Sequence, residues 1–113
     1  MSEMMRLSRL IDAGVAELIK QSREYAEAEN AYRRAKAQAW ISSVDARVKD
    51  KEAVVDIKCE KERERKLLAE GMRLAAVEAV RSRRAQLSAL QTVANAVKAE
   101  ADVLTYGQDP SRR

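Results

Sequence analysis

The sequence contains no histidine and no phenylalanine, and only one cysteine and one proline, among its 113 residues. Without histidine, Ser–His and Cys–His nucleophile pairs cannot form, and neither can the usual zinc and iron ligand sets. The lone Cys59 excludes an intramolecular disulfide and a cysteine-based zinc site. Glycine-rich phosphate-binding motifs are also missing. We therefore expect a protein that is not an enzyme and that needs no metal or cofactor.

Long apolar runs are missing too. No window approaches the 18 uncharged apolar residues that a membrane span needs, so we expect no contact with a membrane. The apolar N-terminal stretch is interrupted by Arg6, Arg9 and Asp12, whereas a secretory signal needs an unbroken apolar run. These features predict a cytoplasmic protein.

The residues that are abundant are those of long helices. Three glycines and one proline leave few turn signals and argue against a sheet. Apolar residues make up 46% of the chain and charged residues 35%, with 22 basic and 18 acidic side chains. This composition is typical of a coiled coil. We predict an all-α fold, in which two or three long amphipathic helices form a helical hairpin or a coiled-coil-like subunit of a homo-oligomer.

A heptad pattern predicts the first helix over residues 3–41. Its members recur every seven residues: Met4, Ile11, Leu18, Tyr25, Tyr32 and Ala39. Gly14 lies inside this helix and costs about 1 kcal/mol relative to alanine, so a break or kink there is an alternative.

The second helix is predicted over residues 44–104. Ser42, followed three residues later by Asp45, matches a capping box and indicates a helix start. One helix running straight through this point is the alternative. The helix should end near Leu104, because 106–110 contains glycine and proline, and a tail is expected over 106–113. The single domain then spans 1–105.

This second helix would be about 90 Å long. A monomer of 113 residues cannot cover both faces of such a rod, so the pattern predicts self-association. The predicted interface residues lie on the two heptad stripes: Ile11, Leu18, Tyr25, Tyr32, Leu87, Leu90, Val97 and Leu104. Trp40 lies one position off the first stripe and fits either an interface edge or a binding surface.

Two groups of basic residues suggest nucleic-acid binding. Residues 71–99 carry a net charge of +4, and Arg81, Arg83 and Arg84 could contact a phosphate backbone. Solvated arginines or ion pairs between subunits explain the same residues. In the second group, Arg33, Arg34 and Lys36 lie beside Tyr32 and Trp40, and cations next to aromatic rings suit single-stranded nucleic acid.

The run from Tyr25 to Ala37, a charged central helix and the run from Arg84 to Gln91 together resemble small helical phage recombination proteins. The organisation over roughly residues 22–100 is similar to the UvsY-type recombination mediators of large lytic phages. That resemblance implies a ring-forming protein in the bacterial host cytoplasm. It also implies binding of single-stranded DNA, and loading of a RecA-like recombinase against the single-strand-binding protein. The basic positions that it places in contact with DNA are Lys49, Lys51, Lys58, Lys61, Arg81, Arg83 and Arg84.

Two functional hypotheses follow. In the first, the chain is a homo-oligomeric, single-stranded-DNA-binding recombination mediator. In the second, it is a structural or adaptor coiled coil, in phage assembly or bound to a host factor, without affinity for nucleic acid.

Overall fold

The computed structural model describes residues 2–43 and 47–108, which form three helices. These are α1 (Glu3–Ser42), α2 (Val48–Lys58) and α3 (Glu60–Gln108). The described residues contain no strand, and the predicted all-α class is confirmed. The helices form one long hairpin of 94 × 27 × 14 Å, in which α1 runs antiparallel to α2 and α3. In this part of the chain, no helix is long and apolar enough to cross a membrane.

The first helix starts at a side-chain cap and is continuous. The hydroxyl of Ser2 accepts a hydrogen bond from the Met5 N–H at 3.2 Å, which satisfies one of the free N–H groups of the first turn. In the same turn, Arg6 pairs with Glu3 and lowers the pKa of the Glu3 carboxyl. The helix passes through Gly14 without interruption, so the alternative of a break there is not realised.

The predicted start of the second helix is wrong at Ser42, which is the last residue of α1. The hydroxyls of Ser42 and Ser43 both donate to the carbonyl of Ala39, at 3.2 and 2.7 Å. The two hydroxyls therefore bond a main-chain carbonyl at the C-terminal end of α1, and they do not cap the N-terminus of a new helix. Asp45, the other member of the predicted capping box, lies outside the described residues.

The predicted single helix over 44–104 is divided at Cys59 into α2 and α3. The helical hydrogen bonding is interrupted only locally at this point. The Cys59 N–H still donates to the Val55 carbonyl at 3.0 Å, and the Arg63 N–H donates to the Cys59 carbonyl at 2.9 Å. Val55 and Cys59 are buried together against Ala39. This small core attaches α2 to the end of α1.

The described helix also ends later than predicted. It includes Tyr106 and Gly107 and reaches Gln108, so glycine does not stop it at the expected position. The rest of the predicted tail, 109–113, lies outside the described residues.

We call the contact line between α1 and α2–α3 the seam. Along it, buried and half-buried residues of α3 alternate at steps of three and four from Glu62 to Ala94, and those of α1 do so from Met4 to Ala39. This is the spacing of a two-stranded coiled coil. Two contacts fix its register: Gly14 lies beside Val80, and Arg73 lies over the ring of Tyr25.

Beyond Ala94, α3 continues past the start of α1. The register places the first turn of α1 opposite residues near 91 of α3, and every side chain from 95 to 105 is exposed. We call residues 95–108 the α3 extension. The spacing of three and four continues through the extension at Val97, Ala101 and Leu104. The apolar stripe of α3 therefore extends beyond the part that α1 covers.

Candidate nucleic-acid interface

The closed end of the hairpin, which we define as residues 33–66, brings cations to the single tryptophan. Lys51 of α2 places its ammonium 4.7 Å from the centre of the Trp40 ring. This is a cation–π distance, and it depends on α2 packing against the end of α1. The Trp40 side chain nevertheless remains 39% exposed, so the indole is accessible to a ligand.

Two shallow grooves flank Trp40. The first, which we call the Trp40 groove, is lined by Arg33, Lys36, Ala37, Trp40 and Ile41. Its surface is almost entirely apolar and is formed by the Trp40 ring, Ile41 and the aliphatic parts of Arg33 and Lys36. Such a surface can stack a base, and Arg33 and Lys36 add positive charge beside it. The second groove also touches Trp40 and Lys36.

That second groove differs in charge, because the carboxylates of Glu52 and Asp56 line it together with Val55. Carboxylates repel a phosphate backbone. Of the two sides of Trp40, only the one that carries Arg33 suits a nucleic acid.

Tyr32 lies under this region and has a structural role. Its ring lies 6.0 Å from the Lys36 ammonium and 5.3 Å from that of Lys66. The ring also packs on the buried cluster of Ala39, Val55 and Cys59. Tyr32 therefore helps to position Lys36 and is itself half-buried.

The neighbouring residues Arg33 and Arg34 are placed differently. Arg33 pairs with Glu29 at 2.6 Å, but its side chain remains 72% exposed. Exposed pairs of this kind contribute only about 0–1 kcal/mol, so a phosphate can replace the carboxylate. Arg34 donates to the carbonyl of Asn30 at 3.4 Å and lies about 100° further around the helix. Of the two, only Arg33 lines the Trp40 groove.

Arg83, predicted to contact DNA, takes part in the seam. It is half-buried, and its guanidinium donates to the carbonyl of Leu10 at 3.3 Å, across 73 residues of sequence. Arg73 also lies in the seam, over Tyr25. Two of the basic residues that gave 71–99 its positive charge therefore hold the hairpin together.

Arg81 and Arg84 line a groove further along the hairpin. Arg81 forms an exposed ion pair with Glu78 at 2.8 Å, and Arg84 is exposed. The other lining residues are Leu18, Val77 and Val80.

The two basic grooves are separated along the hairpin. Leu18 lines the groove of Arg84 and Lys36 lines the Trp40 groove, and these two residues are 18 positions, or about 27 Å, apart along α1.

Lys58 and Lys61 are exposed on either side of the buried Cys59. Neither lines the Trp40 groove. Besides Lys36, the lysines that lie over aromatic rings in this region are Lys51 and Lys66. Local sequence patterns predicted a binding role for neither Lys51 nor Lys66, and Lys51 was named only as a position implied by the family resemblance. Their partners are 11 and 34 residues away in sequence, on another helix, and no local spacing signals such contacts.

The closed end also carries the net charge of the chain. Residues 33–66 contain eleven basic and seven acidic side chains, whereas the rest of the chain contains eleven of each. This end therefore carries a formal charge of +4, equal to that of residues 71–99, and a net positive charge favours a polyanion.

The predicted interface residues divide into two groups. Six of them are half-buried in the seam of the single chain: Ile11, Leu18, Tyr25, Tyr32, Leu87 and Leu90. Val97 and Leu104 are on the α3 extension, where their side chains are 60% and 61% exposed. Only these two remain available for a contact between copies.

Potential metal ligands do not cluster in the described ranges, where no group of three or more His, Cys, Asp or Glu side chains could hold an ion. The features that stand out are the Trp40 groove and the α3 extension. Comparison of the chain with family models, with curated proteins and with solved structures finds no match.

Proposed function

We propose that the chain binds single-stranded DNA at the Trp40 groove, as a recombination mediator. One observation carries this proposal. An exposed tryptophan lies beside Arg33 and Lys36, at the closed end of the hairpin, which carries a net positive charge. A base would stack on the indole, and the two cations would neutralise the phosphates that flank it.

A single groove of this kind gives weak binding. Stacking on one aromatic side chain contributes about 1–3 kcal/mol per base. The groove of Arg81 and Arg84, about 27 Å away along α1, offers a second basic contact for the same strand. Several copies on one strand would add their contacts through effective concentration.

The resemblance to UvsY-type mediators extends the proposal to protein partners. A mediator of this type loads a RecA-like recombinase onto DNA that is covered by the single-strand-binding protein. These partners are part of the proposal through the resemblance alone, and the DNA-binding step can be tested without them.

Arg33 and Arg34 provide a matched pair of variants. Arg33→Gln and Arg34→Gln each remove one positive charge, from neighbouring positions of the same helix, but only Arg33 lines the groove. Fluorescence anisotropy of a labelled oligo-dT at low salt should show an affinity for Arg33→Gln at least about threefold lower than for Arg34→Gln. Equal losses would mean that charge acts non-specifically, and no binding by the wild type would refute the proposal.

The second candidate is an adaptor coiled coil without affinity for nucleic acid. The observation that favours it is the pair of carboxylates, Glu52 and Asp56, on the other side of Trp40. A groove bounded by acid on one side also suits a basic segment of a partner protein. If this candidate is right, oligo-dT fails to bind at any salt concentration, and Lys36→Glu strengthens partner binding rather than abolishing it.

A further inference from the structure

We propose that two copies of this chain stack face to face in antiparallel orientation and form a four-helix bundle through one side of the hairpin, which we call the docking face. On α1 this face runs from Glu3 to Lys20, and on α3 it runs from Arg65 to Glu100, in alternating steps of three and four residues. Each of its residues directly precedes a position of the seam or of its continuing stripe, so all of them lie on one side of the seam. Trp40 follows a seam residue and is not part of the face, so this inference does not depend on DNA binding.

The two helices share this face in the structure. Leu10, Ala13 and Glu17 of α1 line one mostly apolar groove together with Ala79 of α3. Arg84, which follows a seam residue, lines a different groove on the opposite side of the seam. The docking face is therefore a continuous surface formed by α1 and α3 together.

The α3 part of the docking face is uncharged over most of its length. Residues 66–99 contain eight charged side chains, and none of them is on this face. The face positions between Arg65 and Glu100 are all exposed, and Met72 and Val93 are 47% and 59% exposed. An uncharged strip about 42 Å long on an otherwise highly charged helix predicts a second contact between helices.

The charges on α1 identify a second copy as the occupant. From the N-terminus, the face reads acidic, basic, apolar, apolar, acidic, basic, through Glu3, Arg6, Leu10, Ala13, Glu17 and Lys20. Antiparallel pairing about the midpoint of this pattern places Glu3 opposite Lys20 of the second copy. It also places Arg6 opposite Glu17 of the second copy. Both pairs join opposite charges, and each occurs twice by symmetry.

The same two-fold axis has a consequence on α3, where the seam fixes its position. Because Gly14 lies beside Val80, the axis defined by the α1 charges crosses α3 at 82–83. An axis at that point places Arg65 opposite Glu100 of the second copy. The two charges that bound the uncharged strip therefore also form pairs of opposite sign. Because the register came from α1 alone, this agreement on α3 is a second, independent observation.

Between these ion pairs, the uncharged strip packs on itself. Met72 lies opposite Val93 of the second copy, and Ala79 lies opposite Gln86 of the second copy. Near the axis the side chains are small, with Ser82 beside it, so the two α3 helices can approach closely. The two hairpins form separate layers about 10 Å apart, so no helix of one copy takes the position of a helix of the other.

Other arrangements of two copies are less favourable. A two-fold axis parallel to the helices would place Glu17 and Lys20 against Ala75 and Ala79 of the second copy. Their charges would then lose solvent without gaining a partner. A parallel stack of the two hairpins would place like charges beside each other.

The contact has the size of a standard interface. It extends about 26 Å along α1 and about 53 Å along α3, so a strip about 10 Å wide covers about 800 Å² on each copy. We therefore expect a dimer at low micromolar concentration. The closed ends point in opposite directions, and the dimer is about 110 Å long, compared with 94 Å for one hairpin.

Sedimentation velocity with small-angle scattering tests the contact. Between about 1 and about 100 µM the wild type should pass from monomer to dimer. Its maximum dimension should rise only from 94 Å to about 110 Å. A dimer close to twice the length of the hairpin would overturn the stacked arrangement, and a wild type that stays monomeric would overturn the contact itself.

The double variant Met72→Glu/Val93→Glu should stay monomeric, because it places carboxylates in the centre of the uncharged strip. Both side chains are exposed in the single chain, so this variant still folds, as a circular dichroism melt can verify. The matched control is Leu67→Glu/Leu74→Glu. These leucines are 59% and 49% exposed, but they follow seam residues and lie on the other side of the hairpin. The control should dimerise like the wild type, and equal loss of dimer in both variants would overturn the assignment of the face.

Charge exchange between Arg65 and Glu100 tests the register. Arg65→Glu alone and Glu100→Arg alone each create two like-charge pairs across the axis, and each should weaken the homodimer by about tenfold. An equimolar mixture of the two variants should dimerise as strongly as the wild type, because the heterodimer contains two pairs of opposite charge. Single variants that dimerise like the wild type, or a mixture that is no stronger than its components, would overturn the proposed register.

Discussion

Gly14 of α1 lies so close to Val80 of α3 that a Cβ atom at position 14 would be 3.0 Å from Cγ2 of Val80. Both residues are buried in the seam. The glycine that weakens the helix in isolation thus permits a close approach of the two helices at this point. Arg83 is next to this contact, with its guanidinium 3.4 Å from the same Cβ position and bound to the carbonyl of Leu10.

We expect Gly14→Ala to be coupled to Val80→Ala. In the wild type, the gain in helix propensity, about 1 kcal/mol, is offset by the clash with Val80. In the Val80→Ala background the clash is removed, so Gly14→Ala should raise the free energy of unfolding by about 1 kcal/mol. Chemical denaturation of the four proteins measures the coupling, and additivity within about 0.4 kcal/mol would show that the close approach is not present.

Gln21 provides a second prediction about the seam. It is 4% exposed and faces Arg73 in the register, yet its Oε1 atom and the Arg73 Nε atom are both buried without a hydrogen-bond partner among the described residues. Its amide nitrogen donates to Glu17 at 2.7 Å. We expect Gln21→Leu to raise the free energy of unfolding by about 1 kcal/mol, because it removes an unsatisfied buried acceptor.

The matched control for this change is Gln38→Leu, at an exposed position of the same helix. It should alter the free energy of unfolding by no more than about 0.5 kcal/mol. A marked loss of stability in Gln21→Leu would mean that the polar contacts of Gln21 with Glu17 and Arg73 contribute net stability. The predicted increase in the free energy of unfolding would then be wrong.

Cys59 should be protected from thiol reagents in the folded protein. Its side chain is 2% exposed, under Ala39 and Val55. Labelling then requires local or global opening, and we expect a rate at least about 100-fold below that of the denatured chain. A Val103→Cys variant, with an exposed thiol on the extension, should label rapidly in the same sample. Equal labelling of Cys59 and of the thiol introduced on the extension would contradict the packing of α2 on α1.

The α3 extension should exchange its amide hydrogens faster than the rest of α3 in dilute solution. A helical segment of about 14 residues without a packed face is marginally stable in water. Residues 62–94, covered by α1, should show slower exchange. Hydrogen-exchange mass spectrometry at low micromolar concentration measures the difference. Uniform protection along α3 would indicate that the extension is covered even in the monomer.

The sequence was sufficient to predict the all-α class and α1, but not the division between α2 and α3 or the partner of each helix. The stripe from Met4 to Ala39 correctly predicted α1, because its heptad spacing reflects a real helix–helix contact. An apolar heptad stripe does not show whether the helix that covers it belongs to the same chain or to another copy. In the structure, the part of α3 that covers Tyr25 and Tyr32 belongs to the same chain.

The site was predicted in part. The sequence analysis grouped Arg33, Arg34 and Lys36 with Trp40 because they lie close together along the chain, and the structure places Arg33, Lys36 and Trp40 at one groove. The position of Arg83 was not predictable, because its acceptor is a main-chain carbonyl 73 residues away. The contact of Lys51 with Trp40 likewise depends on how α2 packs against α1.

The most direct test of the central claim uses the intrinsic fluorescence of Trp40, the only tryptophan in the chain. Titration with oligo-dT at low salt should quench this fluorescence. The apparent affinity should fall linearly on a plot of log affinity against log salt concentration, since phosphate neutralisation releases counterions. Unchanged fluorescence at saturating DNA would contradict binding at Trp40, and quenching that is insensitive to salt would contradict the roles given to Arg33 and Lys36.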